Sequence, residues 1–144
     1  MQGNDAGQVK YVISLSLCST LALAQSTAAT NTLYCGAHAL GRCHPTSSGY
    51  EGPWTPTPTT FNNAYYTLLL NIKWEVDPKK PNIQYKDPSG KLMMLPSDIV
   101  LIQDPKFKEY VSLYAKEPKT FNQDFADCFS RLLELGCEDK LYSV

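Results

Sequence analysis

Between residues 60 and 74 the apolar positions Phe61, Ala64, Tyr65, Leu68, Leu69 and Ile72 recur at i, i+3, i+4 spacing, which predicts an amphipathic helix. A second stripe, Phe121, Phe125, Cys128, Phe129, Leu132 and Leu133, predicts a last helix that opens on a Thr120/Gln123 capping-box pattern and stops at Gly136. Between them, Ser97 is placed to cap a short helix through Gln103. Pro105 then falls in the first turn of a helix to about Ala115, which Pro118 ends. Asp77 to Pro81 reads as a polar turn. Ile83–Tyr85 and Lys91–Met94 flank Asp87-Pro88-Ser89-Gly90, a hairpin signal. The pattern predicts a mainly α fold, four or so helices with a small β-hairpin.

Two stretches stand outside this periodicity. Residues 36–60 carry Pro45, Gly49, Gly52, Pro53, Pro56 and Pro58, so a short helix end followed by a long loop is expected there. A long loop without its own elements is often functional. Near the N-terminus, Tyr11 to Ala24 is rich in Val, Leu, Ile, Ala and Ser, and Ala22-Leu23-Ala24 before Gln25 has the form of a signal-peptidase site. The run is too short to span a bilayer. Either a secretory signal or an aberrant start with no targeting role fits it, and Ser26 to Asn31 reads as a linker.

At 144 residues the chain is one domain's worth and can bury a sizeable core. Hydrophobic residues make up 43% and charged ones 19%, a globular balance. The net charge of -1 and only two arginines, Arg42 and Arg131, give no basic patch for nucleic acid. The five cysteines, Cys18, Cys35, Cys43, Cys128 and Cys137, are odd in number and show no C-x-x-C, so free thiols are expected rather than a zinc site or disulfide framework.

Both histidines lie in Gly36-Ala37-His38-Ala39-Leu40-Gly41-Arg42-Cys43-His44, which runs on to Ser48-Gly49-Tyr50-Glu51-Gly52-Pro53-Trp54. Small residues around His38 would let a large flat ligand approach the backbone, and an imidazole is a good ligand for haem iron. A structural histidine is the plainer alternative. The wording of this stretch resembles the proximal haem-binding segment of the class I haem peroxidases, the group of cytochrome c peroxidase and ascorbate peroxidase. The resemblance continues through Phe61-Asn62-Asn63-Ala64-Tyr65-Tyr66, Leu92-Met93-Met94-Leu95-Pro96-Ser97-Asp98 and Leu101-Ile102-Gln103-Asp104-Pro105-Lys106-Phe107 to Leu132-Leu133-Glu134-Leu135-Gly136. Several motifs in register make this stronger than one short pattern. It divides the chain into a non-family segment 1–35, a proximal haem-peroxidase domain 36–136 and a tail 137–144.

The resemblance implies heme b as cofactor, hydrogen peroxide as substrate, and a place in oxidative-stress defence. His38 is implied as the axial ligand of the iron, and Asp98 as the carboxylate that receives a hydrogen bond from the other ring nitrogen. Trp54 matches the radical-bearing tryptophan beside the proximal histidine. The intervals of sixteen residues from His38 to Trp54 and forty-four from Trp54 to Asp98 suit that triad. Met93 and Met94 match polarizable sulfurs beside it, and Leu95 an apolar haem contact. Arg42, His44 and Ser48 match positions near the haem propionates. Core packing for Trp54, Met93 and Met94, a helix-end charge for Asp98, and a solvated loop for the three polar residues are the alternatives.

Departures qualify the donor. Ser47 stands where ascorbate peroxidases carry an ascorbate-binding Arg, and Ala39 and Asn62 replace a Thr and an Asp of their cation site. Ascorbate and a bound cation are disfavoured, cytochrome c stays open as donor, and the resemblance leans to the cytochrome c peroxidase branch and its fungal haem-binding relatives. The family's peroxide-splitting Arg and His have no counterpart in residues 1–35, which contain neither type. The reading is therefore a haem peroxidase in truncated form, set against a non-catalytic haem binder, an inactive product, or a helical interaction protein. By family it would be cytoplasmic or mitochondrial, and secreted if residues 1–24 are a signal.

Overall fold

The computed structural model describes residues 27–134. Six α-helices, a 3-10 turn and two small antiparallel sheets make up these residues, in the order α1 (Ala28–Cys35), the 3-10 turn Gly36–Ala39, β1 (Arg42–Cys43), α2 (Pro45–Ser48), β2 (Gly52–Pro53), α3 (Ala64–Asn71), β3 (Glu75–Val76), β4 (Tyr85–Lys86), β5 (Met93–Met94), α4 (Pro96–Gln103), α5 (Pro105–Lys116) and α6 (Pro118–Glu134). The mainly α class with a small hairpin is what the structure has. The Tyr11–Ala24 run, Cys18, Cys137, the stop at Gly136 and the tail lie outside the described residues.

Several expectations are corrected. Residues 28–31 belong to α1 rather than a linker, because the Thr27 side chain accepts from the Thr30 N–H and caps the first turn. Residues 36–60 are not one loop. β1 pairs with β2 in the register Arg42↔Pro53 and Cys43↔Gly52, and α2 fills the turn between them. Gly49, with φ of 77°, closes α2 in the left-handed region. The Asp87-Pro88-Ser89-Gly90 turn does join two strands, with Tyr85↔Met94 and Lys86↔Met93, but the preceding residues add a third strand, β3. The Asp87 carboxylate accepts from the Ser89 and Leu92 N–H groups and holds that turn.

The helix predicted over 60–74 is shorter at both ends. Asn62 Oδ1 accepts the Ala64 N–H at 2.9 Å, and the Asn63 amide donates to the carbonyls of Tyr114 and Ala115, so residues 61–63 are spent on a turn that meets the end of α5. The buried side of α3 is Tyr65, Tyr66 and Leu69, rotated from the predicted stripe. Both faces flanking Tyr65 and Tyr66 are occupied: α3 packs on α5, α4 and the 3-10 turn. Ser97 lies inside the first turn of α4, whose N-cap is Leu95 with Pro96 following. Thr120 likewise lies inside α6, which Pro118 opens one residue after α5 has ended. Of the α6 stripe only Phe121 is buried, while Phe125 and Cys128 pack on the core and Phe129 and Leu133 are exposed, because α6 outruns the short α1 on which it rests.

The core runs from Leu33 and Phe121 through Tyr66 and Leu69 to Met93, Met94 and Trp54. Gly36 fits here for a packing reason. A Cβ at this position would run into the Tyr66 hydroxyl and lie 2.6 Å from Phe121 Cε2. Its smallness serves the α3–α6 contact, and Ala39 too is fully buried. The expectation that small residues around His38 leave the backbone open to a flat ligand is thus corrected at these two positions. Gly36→Ala is expected to lower stability by about 1–3 kcal/mol through overpacking, measured as a lower urea midpoint; an unchanged midpoint would mean that Tyr66 and Phe121 yield freely.

Candidate functional site

His38 sits in the 3-10 turn that leaves α1. Three bonds set this turn: Leu40 N–H to the Ala37 carbonyl at 3.0 Å, Gly41 N–H to the Pro58 carbonyl at 2.7 Å, and the Thr55 hydroxyl to the Ala39 carbonyl at 3.1 Å. Gly41 takes φ of 78°, which a glycine adopts without strain. The imidazole is thereby presented side-on to Trp54, just past β2. The two rings stack at 4.0 Å with 8° between their planes. Tyr65, from α3, meets the same imidazole edge-on at 5.7 Å.

Asp98 joins these groups. It lies in the first turn of α4 and is fully buried. Oδ1 accepts from His38 Nδ1 at 3.0 Å and from the Tyr65 hydroxyl at 2.7 Å. Oδ2 accepts from Trp54 Nε1 at 2.8 Å and from the Leu95 N–H at 2.7 Å. Burial by itself raises the Asp98 pKa, but the His38 ring and the hydrogen bonds from His38, Tyr65 and Leu95 outweigh it and hold the group below its ordinary value. Burial and then the Asp98 charge push the Tyr65 phenol well above its ordinary value, so Tyr65 is a neutral donor.

An ionised carboxylate can only accept, so Nδ1 of His38 carries the proton and Nε2 of the neutral ring carries the lone pair. Nε2 has no hydrogen-bond partner among the described residues, and the side chain is 20% exposed. The donor set is that of a ligating imidazole with an orienting carboxylate behind it. Among the described residues no group of three or more His, Cys, Asp or Glu could hold a bare metal ion.

The structure brings His38, Trp54 and Asp98 into direct contact, and buries Met93 and Met94 in the same core. Leu95 is half-buried and reaches the site through its N–H. Arg42 is exposed on β1, His44 at the N-cap of α2 and Ser48 at the end of α2. The Ser48 hydroxyl is turned to the His44 carbonyl at 3.2 Å. Tyr65 was missed as a site residue, being read only as part of a helix face. The signal available was chemical: a tyrosine on a buried helix face needs a partner for its hydroxyl. Cys35, buried beside this cluster, has its thiol pKa pushed far up by burial and by Asp98, and Cys35, Cys43 and Cys128 are free thiols.

A mainly helical fold that sets an imidazole against a buried carboxylate and a stacked indole is compatible with a haem peroxidase. Comparison with known proteins agrees. The Peroxidase family model matches residues 20–117, starting upstream of Gly36. Mitochondrial cytochrome c peroxidase of Cryptococcus neoformans var. grubii is 46% identical over 109 residues, 75% of this chain and 29% of that protein. Those of Neurospora crassa and Yarrowia lipolytica are 51% and 49% identical, over 70% and 72% of this chain and 28% and 31% of their own lengths. The chain belongs to the peroxidase family, as a class I, cytochrome c peroxidase-like member. It spans less than a third of the length of these relatives. Among the described residues no helix is long and apolar enough to cross a membrane.

Two predictions follow from the carboxylate. Its folded pKa lies below the unfolded value of about 4. The stability it contributes is therefore fully present above that value and drains away as the pH falls through the folded one. Asp98→Asn should be less stable than the parent at pH 7, with the gap narrowing below about pH 4; urea midpoints between pH 7 and 3 measure this, and a gap independent of pH would contradict it. Tyr65→Phe removes one donor from a buried acceptor and should cost about 1–3 kcal/mol, read in the same titration at pH 7.

Proposed function

We propose that this chain forms the proximal wall of a haem site and that the protein it represents reduces hydrogen peroxide at the expense of an electron donor. The observation that carries this reading is the His38 Nδ1–Asp98 hydrogen bond at 3.0 Å, which leaves Nε2 unpartnered and bearing the lone pair. Heme b, when bound, supplies the iron at which peroxide is reduced. His38 would hold that iron through Nε2. Asp98 fixes the tautomer and makes the ring a stronger electron donor, the direction that favours O–O cleavage. Trp54 stacks on the imidazole and donates to the same carboxylate, whose negative charge would favour a cation radical on the indole. Met93 and Met94 supply buried, polarizable surroundings. Leu95 serves as an apolar contact, and the exposed Arg42, His44 and Ser48 would meet the propionates.

Peroxide splitting also asks for a base and a cationic donor beside the peroxide. Residues 1–35 contain no His and no Arg, so this reading assigns the chain's residues to the proximal wall alone. Relatives carry cytochrome c in their names, which makes cytochrome c the donor to test first. Ser47, Ala39 and Asn62 argue against ascorbate and a bound cation.

Hemin titration of the purified chain, followed by the Soret band, tests this. Saturable binding is expected, lost in His38→Ala and about 10–100-fold weaker in Asp98→Asn. Reaction of the complex with hydrogen peroxide should be slower than in a complete peroxidase by about 10²–10⁴-fold, the share of an acid–base group. Binding that is absent, or unchanged in His38→Ala, would leave only shared ancestry and favour an interaction protein that uses the exposed Phe129 and Leu133 of α6.

A further inference from the structure

The rings that meet His38 do not stop there. Tyr65 lies 5.1 Å from Tyr66, Tyr66 lies 5.5 Å from Tyr114, and Tyr114 lies 6.5 Å from Tyr110, centroid to centroid. The first three phenols are buried and Tyr110 is half-buried on α5. A continuous file of oxidisable rings thus leads from the imidazole, through α3, to the side of α5. We infer that Tyr65, Tyr66, Tyr114 and Tyr110 form a relay that carries an oxidising equivalent from the His38 site to the α5 surface, with Tyr114 as its resting place. This rests on the haem reading above.

The hydroxyl partners decide which ring can hold the radical. A phenol gives up its proton when it is oxidised at neutral pH, because its radical cation is a strong acid. The Tyr65 hydroxyl donates to Asp98, but both oxygens of that carboxylate are already committed to accepting from His38, Trp54 and Leu95 as well, so Tyr65 passes the electron on. The Tyr66 hydroxyl donates to the backbone carbonyls of Thr32 and Leu33, which do not take a proton, so Tyr66 is a bridge. The Tyr114 hydroxyl donates to the Asp124 carboxylate at 3.2 Å. Asp124 lies on α6, which the Phe121 contact holds against α5. The step is one electron out of the Tyr114 ring, passed along Tyr66 and Tyr65 to the oxidant, and one proton from the Tyr114 hydroxyl to Asp124. The oxidant is the one-electron oxidising equivalent that haem and a peroxide supply at His38, and it is reduced by the electron it receives. Tyr65 and Tyr66 end unchanged. Tyr110, half-buried at the side of α5, then gives an electron to the Tyr114 radical and its own proton to solvent, while Asp124 returns the proton to Tyr114, and a one-electron reductant in solution with a solvent proton restores Tyr110. The route differs from Trp54, which stacks on the imidazole face while Tyr65 meets the ring edge-on.

The test uses the full chain loaded with hemin, loading being checked by the Soret titration. The complex is treated with a peracid, whose good leaving group removes the need for an opposite-side base, in the presence of a nitroso spin trap. Trap adducts are then mapped by peptide mass spectrometry. Adducts at Tyr114 and Tyr110 are expected. Tyr66→Phe keeps the ring packing but not its ease of oxidation, so it should lower both at least tenfold while labelling of Tyr50, off the relay, stays the same. Asp124→Asn should lower the Tyr114 adduct with no change in hemin affinity. Saturable loading with adducts only at Tyr50 or Trp54, or adducts at Tyr114 and Tyr110 that survive Tyr66→Phe, would overturn the relay and leave the haem reading standing. Failure to load hemin would overturn the haem reading, and the relay with it.

Discussion

The buried Asp98 carboxylate is the constraint on which the rest depends. Taking such a charge out of water costs several kcal/mol unless its lone pairs are filled. Here they are filled by four donors from four places: the 3-10 turn, the segment after β2, α3, and the N-cap of α4. None of these elements is large, and β2 is only two residues long. The carboxylate converts their juxtaposition into a requirement. Removing one donor leaves the others to offset a desolvation that was already met only in full.

In the haem reading, the same bonds would make the site ready before its cofactor arrives. Tautomer, ring plane and the stacking of the indole are set by protein groups alone. Binding energy then need not be diverted into ordering the ligand, which is the advantage of a preorganised site. The neighbours are chemically quiet in a consistent way. Cys35 stays a thiol and Tyr65 a phenol because both are buried beside a negative charge. The negative field that would steady a positive charge on Trp54 or His38 also discourages a competing thiolate or phenolate.

The aromatic core links the site to the outer helices. Phe121 touches Phe61, Tyr66, Tyr114 and Phe125, and so ties α6 to α3 and α5. Gly36 lets that cluster close under the turn that carries His38. Packing on one side of the turn and the carboxylate on the other together hold the imidazole.

Much of this was legible in the sequence. Helical periodicity located α3 and α6 to within a few residues, Pro105 and Pro118 bracketed α5, and the Asp87–Gly90 turn marked a hairpin, because these are local preferences of backbone and side chain. The motif around His38, with Trp54 and Asp98 at their intervals, pointed to the family without any coordinates. Other features depended on distant partners. The short β1–β2 pairing rests on two-residue strands with no periodicity of their own. The helix starts late at Asn63 because that side chain reaches the carbonyls of α5, 51 and 52 residues away in sequence. Tyr65 faces Asp98 rather than simply filling space, since the chain returns 33 residues later to bring a carboxylate against it. The sequence by itself determined which residues had to be buried or bonded; only the tertiary structure decided to what, because a buried polar group takes whichever partner the whole fold delivers.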